Sequence, residues 1–460
     1  MEDIKTCFEE EEDEEKEEGW VQERWWYKLA QVCRRWRYLI LEFASHLDVC
    51  LHCTYGTPVA DMLAHSPPLP LIIDYLYKGP GITAKEEDIL LALHHHDRVR
   101  RISLRMPVAN LRKLIIAIDE KFPMLDYLYI GDLTNDHTDL MLPETFQAPQ
   151  LRHLLLEGVA CPLGSPLITT GAAGLVILML NPVPSYAYFS PNDLLLGLTL
   201  LPQLMILGIS FLSSTPADDV ERQLLHTPIM TFATLPELRC LAFTGDSAYL
   251  EALLTHITSP PLESFQIVFV DQPNNPLLHL QQFMNTEQLR LTSATLRFNE
   301  TFVFLGVYPR EWRGLEPCFM AVHCEHLGWQ VASLAQISNT LRAVVSAVEY
   351  LTLEYSRSPI WWSDWPDGLD GPDRAQWREL LRPFSNVKTL SVPKDLIGEL
   401  SRSLQSKDGE SPMELLPKLK ELSYPASDGS VAGDAFTRFA DDRQNAGHPF
   451  ALVRRPGCWI

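Results

Sequence analysis

The 460-residue sequence is poor in cysteine, with nine residues spread widely along the chain. Small secreted proteins that depend on disulfides have dense cysteines, so we exclude that class and expect a reducing compartment. The amino-terminal region is acidic and lacks the apolar stretch of a signal peptide. We therefore expect a protein of the cytoplasm or the nucleus.

Long apolar runs and positive charge are also lacking. The most apolar stretch, residues 194–212, contains Pro202 and Gln203 and fits the repeat described below, so we do not expect a membrane span. The formal net charge is −21. Because nucleic acids and anionic membranes attract positive surfaces, we expect neither as a partner.

Motifs for catalysis and cofactor binding are missing. The sequence contains no glycine-rich phosphate loop, no dinucleotide fingerprint, no nucleophile elbow and no zinc-protease motif. Cys50-Leu51-His52-Cys53 is a single C-x-x-C without the second ligand pair that a zinc site needs. We therefore predict that the protein is not an enzyme and that it carries neither a cofactor nor a metal ion.

Residues 1–19 form an acidic segment, because residues 9–18 are all charged and nearly all of them are Glu. Like charges repel one another and no apolar side chain offsets this, so we predict a disordered acidic tail. A solvated spacer is the simpler interpretation of such a tail, and an interaction segment is the alternative.

A repeat occupies residues 99–455, and residues 48–98 are assigned to a lead-in or capping region. Its unit is a strand with apolar residues at positions one, four and six, often followed by a segment of helical period. A lead-in strand at 69–75 and a further copy at 319–323 are also predicted. The other copies begin at Val99, Leu125, Leu151, Leu175, Leu204, Leu238, Leu262, Ser293, Val348, Val387 and Leu419.

This alternation of strand and helix predicts an α/β fold, namely an irregular leucine-rich-repeat-like solenoid with a parallel-sheet horseshoe. The repeat is irregular because Val159, Asp246 or Leu133 stands where regular leucine-rich repeats place Asn or Cys. Helices are expected to begin at Ser190-Pro191 and at Ser247. The expected helical segments are 108–122, 191–201, 219–225, 248–257, 374–381 and 394–404.

Side chains at positions three, five and seven point away from the core, because side chains alternate along a strand. We predict that these positions form the concave face and bind a peptide or protein partner. An ordinary solvated sheet face is the alternative interpretation. The predicted partner-binding residues are Arg101, Arg105, Tyr127, Tyr129, His153, Glu157, Gln266, Arg297, Tyr350 and Glu354.

Residues 20–47 predict an amphipathic helix whose apolar residues recur at three- and four-residue steps, with Trp36 buried in its packing. Within it, the segment WWYKLAQVCRRWRYL resembles the last helix of an F-box, which often ends as L-x-x-V-C-R-x-W-x-x-L. The rest of the chain is similar to the repeat region of F-box proteins common in mushroom-forming fungi. The segments that carry this likeness are AQWRELLRPFSNVKTLSV and AFTRFADDRQNAGHPFALV.

The resemblance implies the substrate-recognition subunit of a cullin–RING ubiquitin ligase. The F-box would dock on a Skp-type adaptor, and the repeats would hold an unknown protein target. By the resemblance, the adaptor-binding residues are Leu29, Val32, Cys33 and Trp36.

The segment before Trp20 departs from the family, because it lacks the leucine-proline motif and first helix that open an F-box. The F-box is therefore expected to be partial. A protein-interaction scaffold with a non-functional F-box remnant is the alternative function. A tryptophan-rich segment with Trp361, Trp362, Trp365 and Trp377 is either a binding loop or a loop packed against its own repeats.

Overall fold

The computed structural model describes most of the chain beyond residue 31. The described ranges are 32–43, 49–76, 86–134, 140–169, 172–211, 229–270, 277–283, 291–310, 318–356, 373–405, 411, 413–425 and 436–455. The acidic segment 1–19, Leu29 and the predicted helix 219–225 lie outside them. The chain forms two compact units, one of residues up to Phe211 with Met230–Leu238, the other of Leu212–Ile229 with Arg239–Ile460.

Both units have an α/β fold with mostly parallel strands, as the sequence predicts. In the first unit, strands β1 to β7 pair in chain order, and every pair is parallel. The strands are β1 (Leu51–Thr54), β2 (Leu71–Tyr75), β3 (Val99–Met106), β4 (Tyr127–Asp132), β5 (His153–Glu157), β6 (Ile177–Val183), β7 (Ile206–Phe211) and the short β8 (Ala233–Thr234). The helices are α1 (Arg34–Glu42), α2 (Val59–His65), α3 (Glu86–Leu93), α4 (Val108–Ala117), α5 (Pro166–Thr169) and α6 (Pro191–Leu198).

The core lies where the repeat pattern predicts it. In the copy around β4, Leu125, Leu128 and Ile130 are fully buried, and these are positions one, four and six. Helix α3 adds buried Ile89 and Leu93. Because strand side chains alternate, positions three, five and seven of each strand lie on the opposite face of the sheet, which we call the open face.

A recurring pair of hydrogen bonds at the amino end of the strands fixes the register between repeats. The amides of Arg152 and His153 both donate to the carbonyl of Asp126, at 2.8 and 3.0 Å. Each copy thus anchors the next one before pairing of the strands begins. The same carbonyl position accepts two amides at Asp126, Arg152, Val176, Arg239, Thr292, Glu349 and Lys388.

The helix starts agree with the sequence, but in one case the capping residue differs. Before α6, the Ser190 hydroxyl accepts from the Asp193 amide and the Asp193 carboxylate accepts from the Ser190 amide, each at 3.2 Å, a capping box. The next helix does begin at Ser247, but Ser247 is not the residue that caps it. Asp246 is the cap, because its carboxylate accepts from the amides of Ala248 and Tyr249.

The second unit contains the remaining elements. Its strands are β9 (Cys240–Gly245), β10 (Ile257–Thr258), β11 (Ser264–Phe269), β12 (Ser293–Phe298), β13 (Phe302–Tyr308), β14 (Cys318–His323), β15 (Tyr350–Tyr355), β16 (Thr389–Ser391), β17 (Glu421–Pro425) and β18 (Ala451–Arg455). Its helices are α7 (Ser247–Leu254), α8 (Leu327–Thr340), α9 (Arg342–Val345), α10 (Arg374–Leu381), α11 (Ile397–Leu404) and α12 (Thr437–Asn445).

The sheet of the second unit departs from the purely parallel order that the horseshoe requires. Its strands follow the order β9-β11-β14-β13-β12-β15-β16-β17-β18. The predicted copy at 319–323 exists as β14, but it reaches its place through β13, which is antiparallel to both β12 and β14. The chain thus inserts a three-stranded meander into the run of parallel strands, and β13 went unnoticed in the sequence.

One repeat frame in this unit was wrong by two residues. Ser293 pairs with Tyr350, which is position three of its copy, so the copy that includes β12 begins at Leu291 and not at Ser293. A shift of one residue would exchange the two faces of a strand, whereas a shift of two preserves them. Arg297 therefore still lies on the open face, although at position seven.

A buried arginine closes the carboxyl-terminal repeat. Arg443 in α12 is 1% exposed and donates to the carbonyls of Leu415, Leu416 and Pro417 at 3.0–3.3 Å. Its guanidinium lies 5.7 Å from the ring centres of both Phe439 and Phe450. These contacts join α12 to residues 415–417 and to Phe450.

Candidate functional site

The open face of the first unit carries a row of three predicted residues in register. Arg101, Tyr127 and His153 are paired across β3, β4 and β5. The Arg101 guanidinium lies 4.7 Å from the centre of the Tyr127 ring. The rings of Tyr127 and His153 meet edge to face at 5.8 Å. Cation–π and edge-to-face contacts favour these geometries, so the row presents a cation supported by aromatic rings.

Arg105, Tyr129 and Glu157 form a second group on the same face. The Tyr129 hydroxyl donates to the Glu157 carboxylate at 2.8 Å, and Arg105 Nε is 3.6 Å from the same oxygen. Gly131 of β4 is in register with Arg105 on one side and Glu157 on the other, and a Cβ at this position would come within 2.8 Å of the Tyr129 hydroxyl. The absence of a side chain at Gly131 therefore allows the Tyr129–Glu157 hydrogen bond to form.

The electrostatics of the two groups differ. Burial raises the pKa of Tyr129 and the adjacent Glu157 carboxylate raises it further, against the effect of Arg105, so the phenol keeps its proton. Burial lowers the pKa of His153, Arg101 and Arg152 lower it further, and Asp126 opposes them. The imidazole is therefore a neutral hydrogen-bonding group near neutral pH.

An open depression of about 600 Å³ lies at the amino ends of these strands. It is lined by charged residues at position two of successive repeats, Arg100, Asp126 and Arg152. Arg100 donates to the Asp126 carboxylate at 2.8 Å, and Arg152 is exposed beside them. This depression was not predicted, although charged residues that recur at position two of the repeats were a usable signal in the sequence.

The open face of the second unit holds the remaining predicted residues. Arg297 donates to Glu354 at 2.7 Å and lies 4.4 Å from the centre of the Phe304 ring. The hydroxyl of Tyr350 accepts from Arg310 at 2.7 Å. Gln266 lies half-buried on β11, in register with Phe319 of β14. Apart from Gln266, the predicted residues of this unit are engaged by one another or by a neighbour.

Helix α1 and the two residues before it expose most of their described apolar side chains. Val32 is 64% exposed and Trp36 is 47% exposed, and Cys33 is exposed as well. Of the described side chains in this segment, Ile40 is the buried one. The expectation that Trp36 is buried in the helix packing is therefore wrong. Leu29, the fourth predicted adaptor-binding residue, lies outside the described part of the chain.

The C-x-x-C cysteines and the described tryptophan of the tryptophan-rich segment are buried in the protein core. Cys50 and Cys53 are buried, and burial raises the pKa of the Cys53 thiol to about 12. Trp377 is fully buried in α10 and packs against Phe298, with ring centres 5.7 Å apart. The other tryptophans of that segment, Trp361, Trp362 and Trp365, lie outside the described ranges.

No group of three or more His, Cys, Asp or Glu side chains in the described ranges could hold a metal ion. None of the helices in the described part of the chain has the length and apolar character that a membrane crossing requires.

In comparisons with known proteins, no protein-family model matches the sequence, and no curated protein matches it. Functional inference therefore depends on the surfaces themselves. The open faces present guanidinium groups, aromatic rings and amide and carboxyl groups on rigid strands. Such groups recognise polypeptides well, since aromatic residues and arginine are enriched in protein interfaces.

Proposed function

We propose that the protein is the substrate-recognition subunit of a cullin–RING ubiquitin ligase. In this role, α1 docks on a Skp-type adaptor and the open faces bind a protein target. The protein contributes recognition and no catalysis, because the other subunits of the ligase carry out ubiquitin transfer. A ligase receptor of this kind acts in the cytoplasm or the nucleus.

The observation that carries this proposal is the exposed apolar surface of α1. Trp36 and Leu39 lie one helical turn apart on α1 and both are exposed, and Val32, which precedes the helix, is exposed as well. Apolar side chains that are contiguous on a helix and exposed favour a protein contact. The resemblance of this segment to an F-box helix supports the choice of a Skp-type adaptor as the partner.

A protein-interaction scaffold without a ligase is the second candidate. The observation that favours it is the open face of the first unit, whose Arg101–Tyr127–His153 row requires no adaptor. The two functions share a target-binding face and differ in whether α1 binds the adaptor.

The deciding experiment is a pull-down of the full chain with a purified Skp-type adaptor, followed by titration. Binding should weaken at least tenfold in Trp36→Ala, because an aromatic side chain at an interface contributes about 2 kcal/mol or more. Tyr38→Ala is the matched control, since Tyr38 is an exposed aromatic residue of α1 that does not share the helix face of Trp36 and Leu39. It should bind like the unmodified chain.

Adaptor binding that survives Trp36→Ala unchanged would place the contact elsewhere. No binding by the unmodified chain would leave the scaffold as the function. A version with an F-box first helix added before Trp20 then tests whether the partial F-box is the cause, because recovered binding would restore the ligase role.

A further inference from the structure

Two arginines of the first unit differ from most of the charged groups around them. Within the described residues, Arg101 contacts the ring of Tyr127 and has no carboxylate partner. Arg152 is exposed and has no side-chain partner there either, since Arg100 engages Asp126. Arg105 on the same face is paired with Glu157.

These two arginines flank His153. Arg152 precedes it in the chain, just before β5 begins, and Arg101 is in register with it two strands away. Neighbouring strands are about 4.8 Å apart, so the backbones at Arg101 and His153 are separated by roughly 10 Å. Because Arg101 lies over Tyr127 of the intervening strand, its guanidinium lies toward His153. The two guanidinium groups, with the neutral His153 beside them, make a corner of positive charge on a chain whose net charge is −21.

The spacing favours two separate anionic groups over one. A guanidinium binds a carboxylate through two parallel hydrogen bonds in its own plane. In an extended peptide, side chains at alternate positions lie on one side, about 7 Å apart. Two such carboxylates match one arginine on β3 and another at the start of β5 better than a single small anion does. The neutral imidazole of His153 between them supplies a further hydrogen bond.

We propose that Arg101 and Arg152, with His153 between them, bind a partner polypeptide through acidic side chains at alternate positions. The inference rests on the proposed function in one respect, because it takes the open face of the first unit as the target-binding face. It does not depend on the adaptor. The overall negative charge of the chain repels acidic partners, so binding comes from local pairing at this corner.

The test uses the full chain and four dye-labelled peptides that differ only at alternate positions, which are glutamate, glutamine, lysine or phosphoserine. Fluorescence anisotropy at physiological salt measures their affinities. The glutamate peptide should bind at least tenfold more tightly than the glutamine and lysine peptides. Arg101→Gln and Arg152→Gln should each weaken it roughly tenfold, because a hydrogen-bonded charge contact contributes about 1.5 kcal/mol or more.

Arg112→Gln is the matched control. Arg112 is exposed on α4 of the same unit, so its replacement removes one positive charge away from the corner. It should leave the affinity unchanged within twofold. If Arg112→Gln loses as much affinity for the glutamate peptide as Arg101→Gln does, the overall charge of the chain explains the binding, and the proposal is overturned.

Two further results would overturn the proposal. One is equal affinity for the glutamate and glutamine peptides, and the other is binding of the phosphoserine peptide alone. The adaptor titration separates this inference from the proposed ligase function. Arg101→Gln with Arg152→Gln should bind the adaptor like the unmodified chain, since neither residue is in α1.

Discussion

The two units use the same kinds of residue on their open faces but pair them to different extents. In the second unit, Arg297 is held by Glu354 and Arg310 by Tyr350. In the first unit, Arg105 is held by Glu157, whereas Arg101 has an aromatic neighbour and no described carboxylate partner. Charge that is already paired mainly organises a surface. Charge supported only by a ring remains available to a ligand.

Strand order shows a similar contrast. The first unit keeps chain order from β1 to β7, while the second inserts the antiparallel β13 between β12 and β14. The insertion brings Phe304 of β13 beside Arg297 of β12 and supplies the ring that supports the guanidinium. In the first unit, the ring that supports Arg101 comes from Tyr127 on the neighbouring parallel strand. Regular and irregular topology thus produce the same local contact.

The largest effect should come from Arg443, an arginine of the second unit that is buried without a described carboxylate partner. Arg443→Met should destabilise the protein by roughly 3–5 kcal/mol, because three buried carbonyls lose their donor. Chemical denaturation, read as the free energy of unfolding, measures it. Arg438→Met, at an exposed position of the same helix, should change stability by less than about 0.5 kcal/mol. Equal costs for the two variants would contradict the role assigned to the carbonyl contacts.

The next effect concerns the room that Gly131 leaves in the first unit. Gly131→Ala places a methyl group 2.8 Å from the Tyr129 hydroxyl and 3.0 Å from the Glu157 carboxylate. Separating this bonded pair should cost about 1–3 kcal/mol of stability. Gly398→Ala in the second unit is the control, because nothing lies within 4 Å of the added atom and Ala favours a helix. It should be neutral or stabilise by about 0.5 kcal/mol, and destabilisation of that variant would undermine the steric argument.

A smaller effect is expected from the paired open-face charges of the second unit. A double-mutant cycle on Arg297→Gln and Glu354→Gln should give a coupling of about 0.5 kcal/mol, because both side chains are more than a third exposed. The coupling should shrink in about 1 M salt. The Arg239–Glu263 pair, at 3.5 Å and more exposed, should couple less. A larger coupling energy for the Arg239–Glu263 pair than for the Arg297–Glu354 pair would show that distance and exposure do not determine how strongly these pairs couple.

Much of the fold follows from the sequence, because burial at positions one, four and six imposes a period that is visible in every copy. That period locates β3, β4, β5 and the lead-in strand, and the alternation puts Arg101, Tyr127 and His153 on one face. Strand direction does not follow, since an apolar segment such as β13 has the same pattern in either orientation. The repeat frame at Ser293 was wrong for a different reason, because a shift of two residues leaves the alternation of the two faces unchanged.

The candidate site was predictable as a face but not as a set of contacts. Which arginines are paired depends on strand register and on neighbours distant in sequence, as with Arg297 and Glu354. The exposure of Trp36 also has no sequence signature, because an apolar stripe on a helix predicts burial whether the covering surface belongs to the same chain or to another.

The smallest expected effect is a pH dependence at His153. Its folded-state pKa is lowered by burial and by Arg101 and Arg152, with Asp126 opposing, so the unfolded chain binds a proton more readily. Its contribution to stability therefore declines as the pH falls below the unfolded value of about 6.5, and this dependence should be absent in His153→Gln. Unfolding of both proteins at pH 7.5 and 5.5 measures the difference.

Arg152→Gln should raise the imidazole pKa of His153 in an NMR titration of ¹³C-labelled histidine, and the glutamate peptide should raise it as well. If neither change moves the pKa of His153, the imidazole does not interact electrostatically with the arginines, and the Arg101–Tyr127–His153 row contributes packing alone.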